Sequence, residues 1–180
     1  NHFKNARIFI HDEFALKHAL MNLYSSFIVH HNWGLLIHSS CVIDNGKAHV
    51  FAGHSGAGKS TAAKLSHPRP LLSDEATVVK INANNISIYN SPFRSELESA
   101  SSNKSCQLES IQLLHKATKN KRNQLSKSDA LLYLMDKVFY WAHSPEDTKN
   151  ILQLINILVI AIPVHELHFQ KNDTFWELIS

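Results

Sequence analysis

One octapeptide constrains this chain more than anything else in it. Gly53-His54-Ser55-Gly56-Ala57-Gly58-Lys59-Ser60 fits G-x-x-x-x-G-K-[ST], the Walker A pattern. Its surroundings agree with it. Residues 47–52 run into the loop and read as a buried strand, and residues 60–65, with Thr61 beside the motif's hydroxyl, read as the start of a helix. Strand, glycine loop and helix, in that order, are the context in which the pattern has a mechanism. Glycines let backbone N–H groups turn inward around phosphate oxygens, and the following helix adds its positive end. Residues 53–61 are therefore the expected ATP site. Lys59 is expected to reach the terminal phosphates, and the Ser60 hydroxyl to hold Mg²⁺.

A chain of 180 residues suits one domain with a sizeable core. With 44% hydrophobic and 18% charged residues it is not a disordered polypeptide. The net charge of +3 is mild. Lys116, Lys119, Lys121, Arg122 and Lys127 form the densest basic run, which reads as a solvated loop rather than a nucleic-acid surface; it can also help to hold a nucleotide or an acidic partner. Cys41 and Cys106 are too few and too far apart for a metal knuckle. With no signal-peptide pattern, they read as reduced thiols of a cytoplasmic protein. The apolar run 151–162 is broken by Gln153 and Asn156 and is too short to span a bilayer, so no membrane association is expected. Among the 13 histidines, His165 and His168 lie in a strand-like segment, where i and i+3 point to opposite faces; a structural role is expected for them rather than a metal site.

Residues 1–31 carry helical spacing through Phe14, Leu16, Leu20, Leu23, Tyr24 and Phe27. Residues 33–43 read as a strand, and Asp44-Asn45-Gly46 as the tight turn of a hairpin into residues 48–52. His67-Pro68-Arg69-Pro70 breaks the first helix after the loop. Further strands are expected at 71–81, 86–90, 107–115 and 164–170. Ser126-Lys127-Ser128-Asp129 resembles a capping box before a helix over 130–139. Ser144-Pro145-Glu146-Asp147 opens another, which Pro163 ends, and Asp173 is expected to cap a short terminal helix.

Two residue groups suggest chemistry beyond phosphate binding. Asp74 lies on the strand after the loop helix, where a P-loop protein places a carboxylate towards metal and γ-phosphate. Glu75 follows at once. Neighbouring strand residues face opposite sides, so one of the two is expected to enter the site while the other braces it. His38, in the apolar run Leu36-Ile37-His38-Ser39-Ser40, either pairs with Asp74 or is a core histidine bonded to backbone; the residues alone leave both open.

Residues 33–80 resemble the catalytic core of the HPr kinase family, bacterial serine kinases whose P-loop is unlike that of eukaryotic protein kinases. The shared order is His38, a hairpin, the loop Gly53 to Ser60, then Asp74-Glu75. Ser91-Pro92-Phe93-Arg94-Ser95-Glu96, the stretch 125–130 and the ending 162–179 resemble small HPr-kinase-like proteins, which include kinases of a serine on lasso-peptide precursors. The resemblance implies Asp74 as the base that takes the proton of an acceptor serine, His38 as its contact, and Lys59 as a stabiliser of charge on the transferring group. It implies Ser60, Asp74 and Glu75 on the metal side, with Arg94 and Glu96 as further substrate or phosphate contacts. The glycine-containing signature and N-terminal domain of the larger enzymes find no match, so phosphorolysis and HPr as acceptor do not carry over. Glu75 stands where those enzymes have Asp, which points to a different metal geometry.

The expected fold is α/β: a single P-loop domain of the HPr kinase catalytic-domain, PEP carboxykinase-like type, with a mixed sheet flanked by helices. Residues 1–31 form an N-terminal helical segment and residues 32–180 the catalytic domain. The expected activity is ATP- and Mg²⁺-dependent phosphorylation of a serine on a small protein or peptide, HPr-like or a lasso-type precursor, with no nucleic-acid partner. A small-metabolite kinase and a non-catalytic nucleotide-binding regulator are the alternatives. A homo-oligomer is left open.

Overall fold

A computed structural model describes residues 4–83, 85–95, 97, 105–140 and 144–180. Helix α1 (Glu13–His30) leads into strands β1 (Gly34–Asp44) and β2 (Lys47–Ala52), then α2 (Lys59–Leu65), β3 (Leu71–Ser73), β4 (Ala76–Asn82) and β5 (Asn85–Tyr89). After these come β6 (Ser105–Lys116), β7 (Lys121–Gln124), α3 (Lys127–Met135), α4 (Pro145–Ala161), β8 (Val164–Phe169) and a terminal 3₁₀ helix (Asp173–Leu178). The result is mixed α/β, a mostly antiparallel sheet flanked by helices.

The strands run in the order β2-β1-β4-β5-β6-β8-β7, with β3 added beside β1. A parallel pairing of β2 with β6 closes the first five into a ring. Two long strands make closure possible. β1 pairs with β4 through residues 34–38 and with β2 through residues 39–44, while β6 meets β5 at its start and β2 further on. The hairpin between β1 and β2 turns through Asn45 (φ 47°) and Gly46 (φ 75°); two positive φ values in succession suit the twist of the flanking strands.

Alternation along the ring sorts side chains into cores. Leu35, Ile37, Cys41 and Ile43 of β1 face one cluster, shared with Val50 of β2 and Val79 of β4. Helix α4 fills it with Ile151, Leu154, Ile155, Leu158 and Val159, the i, i+3, i+4 spacing of an apolar helical stripe. Leu36 and Val78 point the other way, onto Met21 and Ile28 of α1. Val42 and Phe51 meet the other outer layer, α2 and the 3₁₀ helix, through Ala62, Phe175 and Trp176.

Several caps stand where the sequence places them. The Ser126 and Ser144 hydroxyls accept the N–H groups of Asp129 and Asp147, at 3.2 and 3.1 Å. Other boundaries differ. Helix α3 spans Lys127–Met135 and not 130–139, because the next residues run along the edge of β1: His38 N–H donates to the Lys137 carbonyl at 2.7 Å and Phe139 N–H to that of Leu36 at 2.9 Å. The basic run is no plain loop, since Lys121–Gln124 pair with β8. Asn172, not Asp173, caps the terminal helix, its side-chain oxygen accepting the Thr174 N–H. The expected strand over 71–81 breaks at Asp74–Glu75. Register is kept across the break, with Cys41 opposite Ser73 and His38 opposite Ala76, so the corner inserts no extra residue. No helix among the described residues is long and apolar enough to cross a membrane.

Candidate active site

The glycine loop leaves β2 at the point where β2 runs parallel to β6. Gly56 and Gly58 both take positive φ, 77° and 108°, and Gly58 is the residue from which α2 starts. A side chain at Gly58 is excluded twice: its φ is one that L residues rarely adopt, and a Cβ there meets the Phe169 ring at 2.8 Å. The loop is bound to its own lysine. Lys59 Nζ donates to the carbonyls of Gly53 and His54 at 3.0 and 3.1 Å, and its side chain is largely buried. Burial, reinforced by the Lys137 cation, lowers its pKa. Ser40 on β1 donates its hydroxyl to the Lys59 carbonyl at 3.1 Å, which ties the start of α2 to the sheet.

Opposite the loop stands the corner between β3 and β4. Asp74 is 3% exposed, and its carboxylate accepts the Ser95 N–H at 3.1 and 3.2 Å and the Leu97 N–H at 2.9 Å. Arg94 holds the loop that supplies these donors: its Nη2 donates to the Leu72 carbonyl at 2.7 Å and to the Asn90 side chain, and its Nε to the Ser91 carbonyl at 3.1 Å. Glu75 forms an ion pair with Lys17 of α1. Both acids line one pocket, because neither lies in a strand; the alternation expected of them does not apply.

That pocket holds about 410 Å³. Ser55, Gly56, Gly58, Lys59, Ser60 and Thr61 form its loop wall, and His38, Asp74, Glu75 and Ser95 the facing one, with Lys116 at the edge. Residues from five separate stretches thus meet around one space. Gly53, His54 and Ala57 belong to the loop without lining the pocket: the first two supply the carbonyls that hold Lys59, and Ala57 is buried beneath.

The His38 ring packs on Phe139, centroids 5.4 Å apart. Its pKa is lowered to about 4, first by burial and then by the Lys59 cation, against an upward pull from Glu75. The ring is therefore neutral at pH 7. Glu75 is the acid whose charge acts on it, where the sequence reading points to Asp74. Arg122 lies away from the loop and bonds Gln112, the Leu178 carbonyl and His165. Burial and this neighbouring guanidinium lower the His165 pKa to about 4. Glu96 lies outside the described residues.

Lys17, Ser95 and Lys137 are the site residues that sequence reasoning missed, whereas Lys116 belongs to the basic run that reads as able to help hold a nucleotide. Lys137 carried no motif. Lys17 had a helical position but nothing to say which face of α1 meets the sheet, and Ser95 acts through its backbone.

Can these residues hold a magnesium ion? The Ser60 hydroxyl and two carboxylates are hard oxygen donors facing one space. Among the described residues no three His, Cys, Asp or Glu side chains converge on a metal-sized site. A donor set this small fits Mg²⁺, which keeps waters and takes phosphate oxygens alongside one or two carboxylates. Of the two acids Glu75 is already neutralised by Lys17, so Asp74 and Ser60 are the better ligands.

Fold and pocket together define a mixed α/β domain with a glycine loop facing an acidic corner. Residues 9–180 match the family model described as SynChlorMet cassette protein ScmC, and the chain belongs to that family. No curated protein matches the chain. Among solved structures, the Hpr(Ser) kinase/phosphatase from Coxiella burnetii is similar at a TM-score of 0.44 and 9% identity, over 79% of this chain and 90% of that one, a likeness too slight to transfer an activity.

Proposed function

We propose that the protein is a kinase that moves the γ-phosphate of ATP to a serine hydroxyl of a small protein or peptide. One observation carries the reading: Lys59 and Ser60 of a Walker A loop share a pocket with a buried carboxylate, Asp74, whose orientation is set by backbone N–H donors. A carboxylate at this place can hold Mg²⁺ in any nucleotide-binding loop, and one oriented by backbone N–H donors is also placed to take a proton from an acceptor hydroxyl.

Residues 55–61 cradle the phosphates, and the Lys59 ammonium turns from its loop carbonyls towards the transferring group. Asp74 accepts the proton of the acceptor hydroxyl as its oxygen bonds to the γ-phosphorus, and the bond from that phosphorus to the β,γ-bridging oxygen breaks in line, releasing ADP. Magnesium, when bound at Ser60 and Asp74, neutralises phosphate charge. Neutral His38 adds no positive charge beside Lys59, and Lys116 stands at the pocket edge to pair with phosphate.

The test is transfer of labelled γ-phosphate from ATP and Mg²⁺ to serine-containing peptides, with Lys59→Ala as control. Label on a peptide, absent in the control, supports the reading. Tight ATP binding with no transfer to peptides, metabolites or water sinks it and leaves a nucleotide-binding regulator. Transfer to a metabolite alone replaces the acceptor class.

A further inference from the structure

The polar pocket offers an acceptor polypeptide nothing apolar to hold. Its walls are glycines, hydroxyls, charges and one histidine, yet kinases draw binding energy from parts of the substrate remote from the reacting group. An apolar groove of about 400 Å³ lies beside it. Leu20, Leu23, Tyr24 and Phe27 of α1 form one wall and Phe93 the other, with Ala6 at the margin. The Tyr24 and Phe93 rings are 5.6 Å apart between centroids, closing the groove floor. Leu20 and Phe27 are 41% and 42% exposed.

Both walls lead towards the polar pocket. One turn before Leu20, α1 carries Lys17, which pairs with Glu75. Two residues after Phe93, Ser95 lines the pocket and donates its N–H to Asp74. Groove and pocket thus share the 91–97 loop, and α1 reaches the pocket through the Lys17–Glu75 pair. From Leu20 to Phe27 the groove runs about 10 Å along the helix, the length of roughly three extended residues. That suits two apolar side chains of a peptide. Its six lining residues are far fewer than the roughly 20–30 residues a side of a stable dimer interface.

We propose that this groove docks the acceptor polypeptide, taking apolar side chains from a segment next to the phosphorylated serine. The inference rests on the kinase reading for the identity of its occupant. Helix α1 then has two tasks: Lys17 restrains Glu75, and the Leu20–Phe27 face selects which serine reaches Asp74. An acceptor hydroxyl in a purely polar segment is a poor substrate.

Two peptides with a single central serine test it, one carrying leucines at alternate positions on both flanks and the other glutamine at those positions. Fluorescence anisotropy without nucleotide reads docking; transfer and peptide-free ATP hydrolysis read chemistry. The leucine peptide is expected to bind at least about tenfold tighter than the glutamine peptide. A Leu20→Gln/Phe27→Gln variant is expected to raise its KM about tenfold and leave peptide-free hydrolysis and melting temperature unchanged. Leu132→Gln and Leu152→Gln, exposed apolar positions on α3 and α4, are expected to change nothing. Equal binding of the two peptides overturns the proposal. So does equal affinity of wild type and double variant, the result if the groove is filled by the chain's own first residues, and so does a wild-type dimer that the double variant turns into a monomer. If the leucine peptide binds through the groove without receiving phosphate, the kinase reading falls and the docking surface stands. If phosphate is transferred regardless of the groove variants, the reverse holds.

Discussion

The two walls of the pocket are made in different ways. The glycine loop is one continuous stretch: strand β2, the turns at Gly56 and Gly58, and a lysine folded back on carbonyls five and six residues before it. The acidic wall is assembled from β1, the β3–β4 corner, the 91–97 loop and α1, and each of its acids is held by a partner distant in sequence. A local wall keeps its shape wherever the strand and helix form. An assembled wall shifts when any of its remote supports is lost. The loop should therefore be sensitive mainly to changes within itself, and the acidic wall to changes elsewhere.

The most damaging changes are those that remove chemistry from either wall. Lys59→Ala and Asp74→Asn are each expected to cut phosphoryl transfer by about 10²–10⁴-fold. Calorimetric titration with magnesium-free ATP separates them: the lysine variant loses affinity and the asparagine variant keeps it. An Asp74→Asn enzyme with full transfer activity would falsify the base assignment.

Next come the two glycines of the loop. Gly58→Ala brings a Cβ against the Phe169 ring and strains a backbone at φ 108°, whereas the space around Gly56 is open and only its φ of 77° resists a side chain. A strained backbone costs about 1–3 kcal/mol, or several degrees in melting temperature for a domain of this size. Thermal denaturation is expected to rank Gly58→Ala well below Gly56→Ala. Equal melting temperatures would mean that Phe169 yields easily and that the loop is less fixed than its geometry implies.

A smaller effect tests the long-range support of the acidic wall. Lys17→Met releases Glu75 from its ion pair, whose side chains are partly exposed, so stability should change by no more than about 1 kcal/mol. Transfer is expected to slow about tenfold, with half-maximal rate reached at lower magnesium because a second carboxylate becomes available. An unchanged magnesium titration would show that α1 does not govern this wall.

The smallest effect is the pH dependence. In the fold, the His38 and His165 pKa values are lowered to about 4 from an ordinary value near 6.5. Between those values the unfolded chain binds the additional protons, so stability rises with pH there. It is fully present above about pH 6.5 and is lost as pH falls towards 4. Denaturant titrations at pH 7, 5.5 and 4.5 should show the decline, and His38→Asn should flatten part of it. The transfer rate should show no His38-dependent inflection near pH 6.5, since the ring stays neutral there; finding one that His38→Asn abolishes would contradict its burial.

By itself the sequence determined what depends on near neighbours. The Walker A loop, the Asp44–Lys47 hairpin, the serine caps of α3 and α4 and the stop at Pro163 are all set by side chains within a few residues of the backbone they act on. The tertiary structure alone decided the rest. A period-2 reading carries the chain through 71–81 as one strand, whereas the carboxylate of Asp74 is drawn to N–H groups about 21 residues on and the ladder breaks. Helical spacing in α1 gave its apolar residues but not the sheet face it covers, so neither Lys17 beside Glu75 nor the groove against Phe93 was visible. Arg122 read as a surface cation until β7 paired with β8 and turned it onto Gln112 and His165. Backbone preferences act over a turn or two of chain, while the closing of β2 onto β6 brings together residues that no local preference links.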